Sequence, residues 1–195
     1  MIDEPFSEPV FRSKFLILTY RSKFDIFILR GGEVQMSEQN IHLIKTIQET
    51  RNLGRFKAFC EKNSTKDAQH RIRTIYSRTN DPRRTTKNII INQLGETISD
   101  SDADRLFVLI TSFLNKSRYR KPIEESIRKS LLLSQNHHCA ICGCDIDMHA
   151  HVDHIVPFKF VGDELDNNLQ MLCTDCNLKK NASLDYQIRF LLKLI

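Results

Sequence analysis

The N-terminal part of the chain opens with an apolar and polar pattern that is typical of a β-hairpin. Two short runs, at 14–20 and 24–29, are rich in Phe, Ile and Leu and are separated by three polar residues. Runs of this length bounded by turn residues are typical of strands. Gly31 and Gly32 follow the second run as a turn signal. We therefore predict a hairpin over 14–29.

Helical spacing of apolar residues replaces this pattern after the glycines. Apolar residues recur at helical intervals from Ile41 to Ile47, and Ser37 is a suitable N-cap. The pattern continues to Phe59, although Gly54 weakens its end. This segment predicts one long helix.

Two further elements are predicted before residue 120. The stretch TTKNIIINQLGE, at 85–96, contains three consecutive isoleucines and a closing glycine, which predicts a strand and a turn. Ser101 with Asp104 three positions later resembles a capping box. The apolar residues of 103–117 then predict a helix.

A domain boundary is indicated by the polar stretch SRYRKPIEES. Pro122 suits the first turn of a following helix, and Glu124 and Glu125 suit its positive end. The helix is predicted to end near Asn136. We therefore divide the chain into an N-terminal α+β region at 1–120 and a C-terminal domain at 121–195.

The stretch HVDHIVPF, at 151–158, is an unusual strand because it carries two histidines and an aspartate. Alternation places His151 and Asp153 on one face and His154 on the other. A half-buried strand ordinarily holds Val, Ile or Thr at such positions. The stretch is therefore a candidate for chemistry.

Composition indicates a soluble protein. Hydrophobic residues make up 41% and charged residues 27% of the 195 residues, both close to the averages for globular proteins. The longest apolar runs are much shorter than a membrane span, and the acidic opening MIDEPFSEP lacks the basic region of a signal peptide. We expect a cytoplasmic protein that does not contact a membrane.

Positive charge is concentrated in the N-terminal part. Residues 1–120 hold 21 Lys or Arg and 14 Asp or Glu, whereas 121–195 hold 8 and 10. The density is greatest between Arg51 and Lys87, which suggests a surface that contacts phosphate groups. The alternative, a solvated helix face, is equally compatible with composition. The candidate nucleic-acid contacts from this cluster are Arg71, Arg73, Arg83 and Arg84.

Four of the six cysteines form two knuckles that predict a structural zinc site. The pairs Cys139-x-x-Cys142 and Cys173-x-x-Cys176 give four thiolates that close a tetrahedral shell and leave no position for substrate. Reduced thiols are expected in the cytosol, which disfavours disulfides. Cys144 lies close enough to compete as a ligand. Two alternatives also remain: His138 could replace a thiolate, and Cys60, like Cys144, could be a small buried hydrophobic residue.

In this order, these elements resemble the HNH endonuclease superfamily, whose ββα-metal fold carries a hairpin and a helix around one divalent ion. The resemblance covers about 137–181. It rests on the two knuckles and on the following matches: Asp153-His154-Ile155 with Pro157, Asn168-Leu169-Gln170, and Asn177 with Lys179 and Lys180. The fold class implied is α+β, with the N-terminal mixed region followed by a zinc-stapled ββα-metal module.

The resemblance assigns roles to four polar residues. His154 would activate water, and Asp153 with Asn177 would hold a catalytic divalent ion. Asn168 would orient the histidine or brace the loop between the strands. The family often has histidine where this chain has Asn177, so the chain resembles the HNN variant. Because carboxylate and amide oxygens are hard ligands, Mg²⁺ or Mn²⁺ is favoured over zinc at this site.

The implied substrate is DNA, most simply double-stranded. Lys179 and Lys180 could contact phosphate near the cut, with helix solvation as the alternative. His151 is either a contact to substrate or an exposed strand residue. A small nuclease of this kind resembles restriction or antiphage-defence enzymes, and the ends implied are 5′-phosphate and 3′-hydroxyl.

Two other functions stay open from the sequence. The first is a zinc-stapled nucleic-acid-binding module without catalysis, although binding alone does not require the polar set described above. The second is a nuclease subunit that a partner activates, or that works as a homodimer. Sequence preference, single or double cutting, and the role of 1–120 are not readable from these residues.

Overall fold

The computed structural model describes residues 27–28, 34–35 and 37–195, the first two pairs by their backbone alone. The chain divides into two compact units, 1–40 and 41–195. In the first unit, β1 (Phe27–Ile28) pairs antiparallel with β2 (Val34–Gln35). The predicted strand at 14–20 lies outside the described residues. The second run therefore contributes a strand whose described partner follows Gly31 and Gly32.

Four helices form the middle of the chain. They are α1 (Glu38–Lys62), α2 (Lys66–Ser77), α3 (Pro82–Leu94) and α4 (Asp100–Asn115). Helix α1 begins after Ser37, whose hydroxyl accepts from the backbone N–H of Asn40, as predicted. It continues through Gly54 without a break, and α2 is an element that the apolar pattern did not reveal.

The prediction of a strand at 85–96 is wrong, because this segment belongs to α3. Asp81 caps the helix by accepting from the N–H of Arg84, Pro82 is its first residue, and Gly95 ends it with a φ of 72°. These are the residues that favour a helix start and stop. Ile89 and Ile90 are buried in the core, so tertiary packing outweighs the strand preference of β-branched residues.

The predicted helix at 103–117 is confirmed as α4, but its cap lies two residues earlier than expected. Ser99 accepts from the N–H of Asp102, and the helix begins at Asp100. The next helix, α5 (Glu125–Ser134), begins after Pro122 rather than including it. Leu132 is the buried residue of α5.

The C-terminal part contains the predicted hairpin and helix. Strand β3 (His151–His154) pairs antiparallel with β4 (Leu169–Leu172), and α6 (Phe158–Val161) lies in the connection between them. Helix α7 (Thr174–Lys180) follows β4 directly, and α8 (Leu184–Lys193) comes last. This order is the ββα arrangement of the prediction.

One hydrophobic core joins the middle helices to the hairpin connection. Phe56 and Phe113, from α1 and α4, belong to the same buried cluster as Val156, Val161 and Leu165. The predicted boundary at residue 120 stays a prediction, although 41–195 forms a single compact unit. No helix among the described residues has the length and apolarity that crossing a membrane requires.

Gly162 fixes the approach of the hairpin connection to the end of α4. Its φ is 62°, which disfavours any residue with a side chain. A Cβ at this position would lie 3.0 Å from Cβ of Lys116 and 3.1 Å from the backbone nitrogen of Ser117. Glycine is therefore required for these two segments to pack closely.

Candidate functional site

The hairpin register places the two adjacent polar residues of β3 in different surroundings. Asp153 pairs with Gln170, and His154 pairs with Leu169. His154 is only 3% exposed, whereas Asp153 is half-buried. The chain leaves the sheet immediately after His154, so both side chains can serve one site.

Asp153 is held by a buried lysine from α7. The ammonium of Lys180 lies 2.8 Å from Oδ2 of Asp153 and donates to the carbonyl of His154 at 2.6 Å. Gln170 also donates to Oδ2, at 3.3 Å. Lys180 has no exposed area, so the prediction that it contacts DNA phosphate is wrong in this arrangement. Its charge instead fixes the carboxylate.

The imidazole of His154 lies between an acidic and a basic side chain. Its Nε2 is 2.9 Å from Oδ1 of Asp163, and its Nδ1 is 3.2 Å from a guanidinium nitrogen of Arg120. Because arginine can only donate, Nδ1 must accept, and Nε2 must carry the proton that Asp163 accepts. We assign a neutral imidazole with its lone pair on Nδ1.

Asp163 is well suited to stay ionised beside this histidine. Burial alone would raise the pKa of its carboxyl group. The backbone N–H of Lys121, the hydrogen bond to His154 and the charge of Arg120 together outweigh burial and lower the pKa below its usual value. Oδ2 accepts from the Lys121 N–H at 2.8 Å. The carboxylate therefore holds the histidine in one tautomer.

Asn168 braces the loop that follows β3. Its Oδ1 accepts from the N–H of Val156 at 2.7 Å, and its Nδ2 donates to the carbonyl of the same residue at 2.9 Å. The side chain is buried. Asn167 has a φ of 54° and forms the preceding turn, so Asn168 is the residue that takes the bracing position.

Asn177, on α7, lines the same cleft as Asp153 and His154. The cleft has a volume of about 530 Å³ and is also lined by Arg120. Among the described residues, Oδ1 of Asp153 has no hydrogen bond, so it is available as a ligand even while Lys180 occupies Oδ2. A carboxylate and a carboxamide are oxygen donors that suit magnesium or manganese. The residues present therefore fit a divalent ion.

The cysteines form a compact sulfur cluster at the base of the hairpin. The Sγ atoms of Cys139, Cys142, Cys144 and Cys173 all lie within 4.8 Å of one another. The Cys142 and Cys173 sulfurs are 3.8 Å apart. Zn–S bonds of about 2.3 Å in a tetrahedron place sulfurs about 3.8 Å apart, so the cluster fits zinc.

Cys144 and Cys176 compete for the fourth position. The backbone N–H of Cys144 donates to the sulfur of Cys142 and, with contacts from neighbouring thiols, lowers the pKa of the Cys142 thiol to about 6. Cys144 thus already supports the knuckle through its backbone, although its sulfur also lies within the cluster. Cys176 is buried, and its thiol contacts those of Cys139, Cys142 and Cys173. We therefore favour Cys176 as the fourth ligand and Cys144 as a fifth, supporting cysteine.

Other predicted residues lie apart from these two centres. Cys60 is buried in the helical core, where burial raises the pKa of its thiol to about 12, as suits a small hydrophobic residue. His138 is exposed and lies 3.3 Å from Asp145. His151 is exposed, with Nε2 at 3.4 Å from the hydroxyl of Thr174.

The predicted basic contacts differ in whether their charges already have partners. Arg83 pairs with Asp104 at 2.8 Å and approaches Asp100 at 3.8 Å. Its positive charge is therefore already paired with a carboxylate. Arg73 donates to the carbonyl of Leu114. The remaining predicted contacts, Arg71, Arg84 and Lys179, are exposed.

Sequence reasoning did not identify Asp163 or Arg120 as site residues. Asp163 lies in the α6–β4 connection, and Arg120 lies in the segment before α5. Neither belongs to a recognisable spacing with His154. The sequence signal that could have indicated Asp163 is the glycine before it, which permits close packing of this loop.

Together these elements define a ββα module with two centres: a sulfur cluster, and a cleft that gathers a carboxylate, an imidazole and a carboxamide. Residues 139–183 match the family model described as HNH endonuclease. The predicted resemblance to the HNH superfamily is therefore confirmed for this segment of the chain. Neither the comparison with curated proteins nor that with solved structures gives a match.

Proposed function

We propose that the protein is a metal-dependent endonuclease that hydrolyses phosphodiester bonds of double-stranded DNA. The observation that carries this proposal is the convergence of Asp153, His154 and Asn177 on one cleft within an HNH domain. Binding alone would not require an imidazole whose tautomer is fixed by a carboxylate. This feature favours hydrolysis over a silent binding module.

His154 is the proposed general base. Its Nδ1 lone pair takes a proton from the attacking water, while Asp163 accepts the hydrogen bond from Nε2 and stabilises the positive charge that the ring acquires. The water attacks phosphorus in line with the leaving oxygen. Asn168 keeps the loop after β3 in place, which maintains the position of the imidazole.

Arg120 has a second proposed role in the same cleft. Its guanidinium contacts Nδ1 of His154 and the carbonyl of Val152 in this structure. A phosphate entering the cleft offers stronger, charged acceptors for the same donors. Arg120 would then move to the phosphate, stabilise the developing charge and leave Nδ1 free for water.

Asp153 and Asn177 would hold the divalent ion, which when bound supplies charge stabilisation to the phosphoryl and leaving oxygens. Lys180 would keep Oδ2 of Asp153 engaged and leave Oδ1 directed to the ligand position. The sulfur cluster would hold a structural zinc ion that takes no part in hydrolysis.

A plasmid assay tests the proposal. Wild-type protein with magnesium or manganese is expected to convert supercoiled DNA to nicked or linear forms, and His154→Ala is expected to be slower by at least about 100-fold. His151→Ala, on the exposed start of the same strand, is the matched control and should cut normally. Equal cutting by wild type and His154→Ala would remove His154 from its role, and no cutting with any metal would favour the binding module.

Asp163→Asn tests the orientation of the histidine. The amide can donate to Nε2 and thereby favour the wrong tautomer, so we expect the cutting rate to fall by about 10- to 100-fold. Asp166→Asn, an exposed neighbour in the same loop, is the control. Thermal unfolding of both variants should stay close to wild type. An unchanged rate in Asp163→Asn would show that this carboxylate does not act through His154.

The biological setting stays a prediction. Restriction or antiphage defence, activation by a partner protein and homodimer formation are all compatible with the proposed chemistry.

A further inference from the structure

A second cleft lies beside the catalytic one and has a strongly basic lining. It has a volume of about 770 Å³ and is formed by α2, the end of α4 and α6. Five lysines or arginines line it against a single carboxylate, Asp67: they are Lys66, Arg73, Lys116, Arg118 and Lys159. His70 lies among them. Positive charge without a carboxylate partner therefore gathers in this cleft.

The charges in this cleft are not neutralised by carboxylates of the described residues, unlike much of the basic cluster in the sequence. Arg73 and Lys116 donate to the carbonyls of Leu114 and Lys159, and these contacts leave their positive charge in place. Among residues 37–195, none of the five cations forms an ion pair with a carboxylate. By contrast, Arg83 and Lys87 on α3 pair with carboxylates of α4. Lys66 and Arg118 are exposed, so their side chains can reach an anion.

The basic cleft adjoins the catalytic cleft. Phe158 and Lys159, at the start of α6, line both. The segment after α4 also serves both, because Arg118 lines the basic cleft and Arg120 the catalytic one. A chain of phosphates that enters the catalytic cleft can therefore continue into the basic one without leaving positive surface.

We propose that this basic cleft binds the phosphate backbone of the duplex DNA arm next to the cleaved bond. The inference rests on the proposed nuclease function and names the surface that holds its substrate. The cations of α2 and of the α4–α5 connection, rather than those of α3, contact the backbone. Contacts of this type set position and affinity, and they do not select a sequence.

Salt-dependent binding of a duplex of about 30 base pairs tests the inference, since each phosphate contact contributes about 0.9 to the slope of log K against log salt. Binding is measured in the His154→Ala background without added magnesium or manganese, so that no cutting interferes. Lys66→Gln with Arg118→Gln should lower the magnitude of the slope by about 1.8 and weaken binding at least 10-fold at low salt. Arg83→Gln with Lys87→Gln removes the same charge from α3 and should leave the slope unchanged.

The outcomes separate this inference from the nuclease proposal. Unchanged binding in the cleft variant, an equal loss in the α3 variant, or no duplex binding at all would each overturn the inference. Tighter binding of an RNA duplex than of the DNA duplex would overturn the choice of DNA. Plasmid cutting is measured separately, for the wild type and for Lys66→Gln with Arg118→Gln. If both proteins cut at the same rate, the nuclease proposal stands and the role of the basic cleft is overturned.

Discussion

Removal of zinc by a chelator is expected to unfold the two cysteine knuckles and the adjoining end of the β3–β4 hairpin. Structural zinc contributes about 10 kcal/mol or more to folding in small metal-stapled modules, which is comparable to the whole stability of an ordinary domain. The hydrophobic cluster around the cysteines is small: its buried members are Cys139, Leu172 and Cys176. So small a core cannot hold the two knuckles together without the metal, whereas Val156, Val161 and Leu165 remain packed in the main core. Amide hydrogen exchange of β4 before and after chelation measures the loss.

A matched pair of substitutions identifies the fourth ligand. Cys144→Ser should retain one zinc per chain, because Cys144 supports the knuckle through its backbone N–H. Cys176→Ser should lose the metal and show the exchange pattern of the chelated protein. The opposite result, with zinc lost only from Cys144→Ser, would move the ligand assignment to the exposed cysteine.

Asp153→Ala is expected to destabilise the protein by about 3–5 kcal/mol, independently of any catalytic role. The substitution leaves the ammonium of Lys180 fully buried without its carboxylate partner, and a stranded charge of this kind is costly. Lys180→Met should cost less, since the Asp153 side chain keeps 19% of its exposure and can gain water. Denaturant unfolding of the zinc-loaded protein measures both changes.

The double variant Asp153→Ala with Lys180→Met closes a double-mutant cycle and separates pairing from packing. Because neither charge remains, it should recover most of the stability that Asp153→Ala loses. Additive losses in the double variant would show that the two residues are not energetically coupled. Since Asp153→Ala damages the fold, its loss of cutting is weak evidence for metal binding, and His154→Ala is the cleaner test.

The C-terminal module was predictable because its residues carry a specific resemblance. The spacing of the two knuckles predicted the zinc site, and the order of β3, β4 and α7 followed from the resemblance to the HNH superfamily. The same resemblance placed Asn168 and Asn177. The prediction for Lys180 was wrong because burial of a lysine depends on a carboxylate from another element. Its position next to the exposed Lys179 in the sequence does not indicate that burial.

The middle of the chain was less predictable because local signals conflicted. The three isoleucines of α3 favour a strand, whereas Asp81, Pro82 and Gly95 favour a helix, and packing against α4 decided between them. Whether a basic residue forms an ion pair also depends on packing, since Arg83 reaches the carboxylates of α4 only because α3 and α4 are adjacent. Arg120 and Asp163 reach His154 from connections distant in sequence, which a one-dimensional pattern does not show.

Gly162 links the two clefts mechanically. The backbone that its missing side chain admits, at Lys116 and Ser117, forms a wall of the basic cleft, and the next residue, Asp163, holds the catalytic imidazole. Any side chain introduced there would change the spacing between the proposed DNA-binding cleft and the proposed general base, His154. The absence of a single Cβ atom thus sets the separation of the two proposed sites.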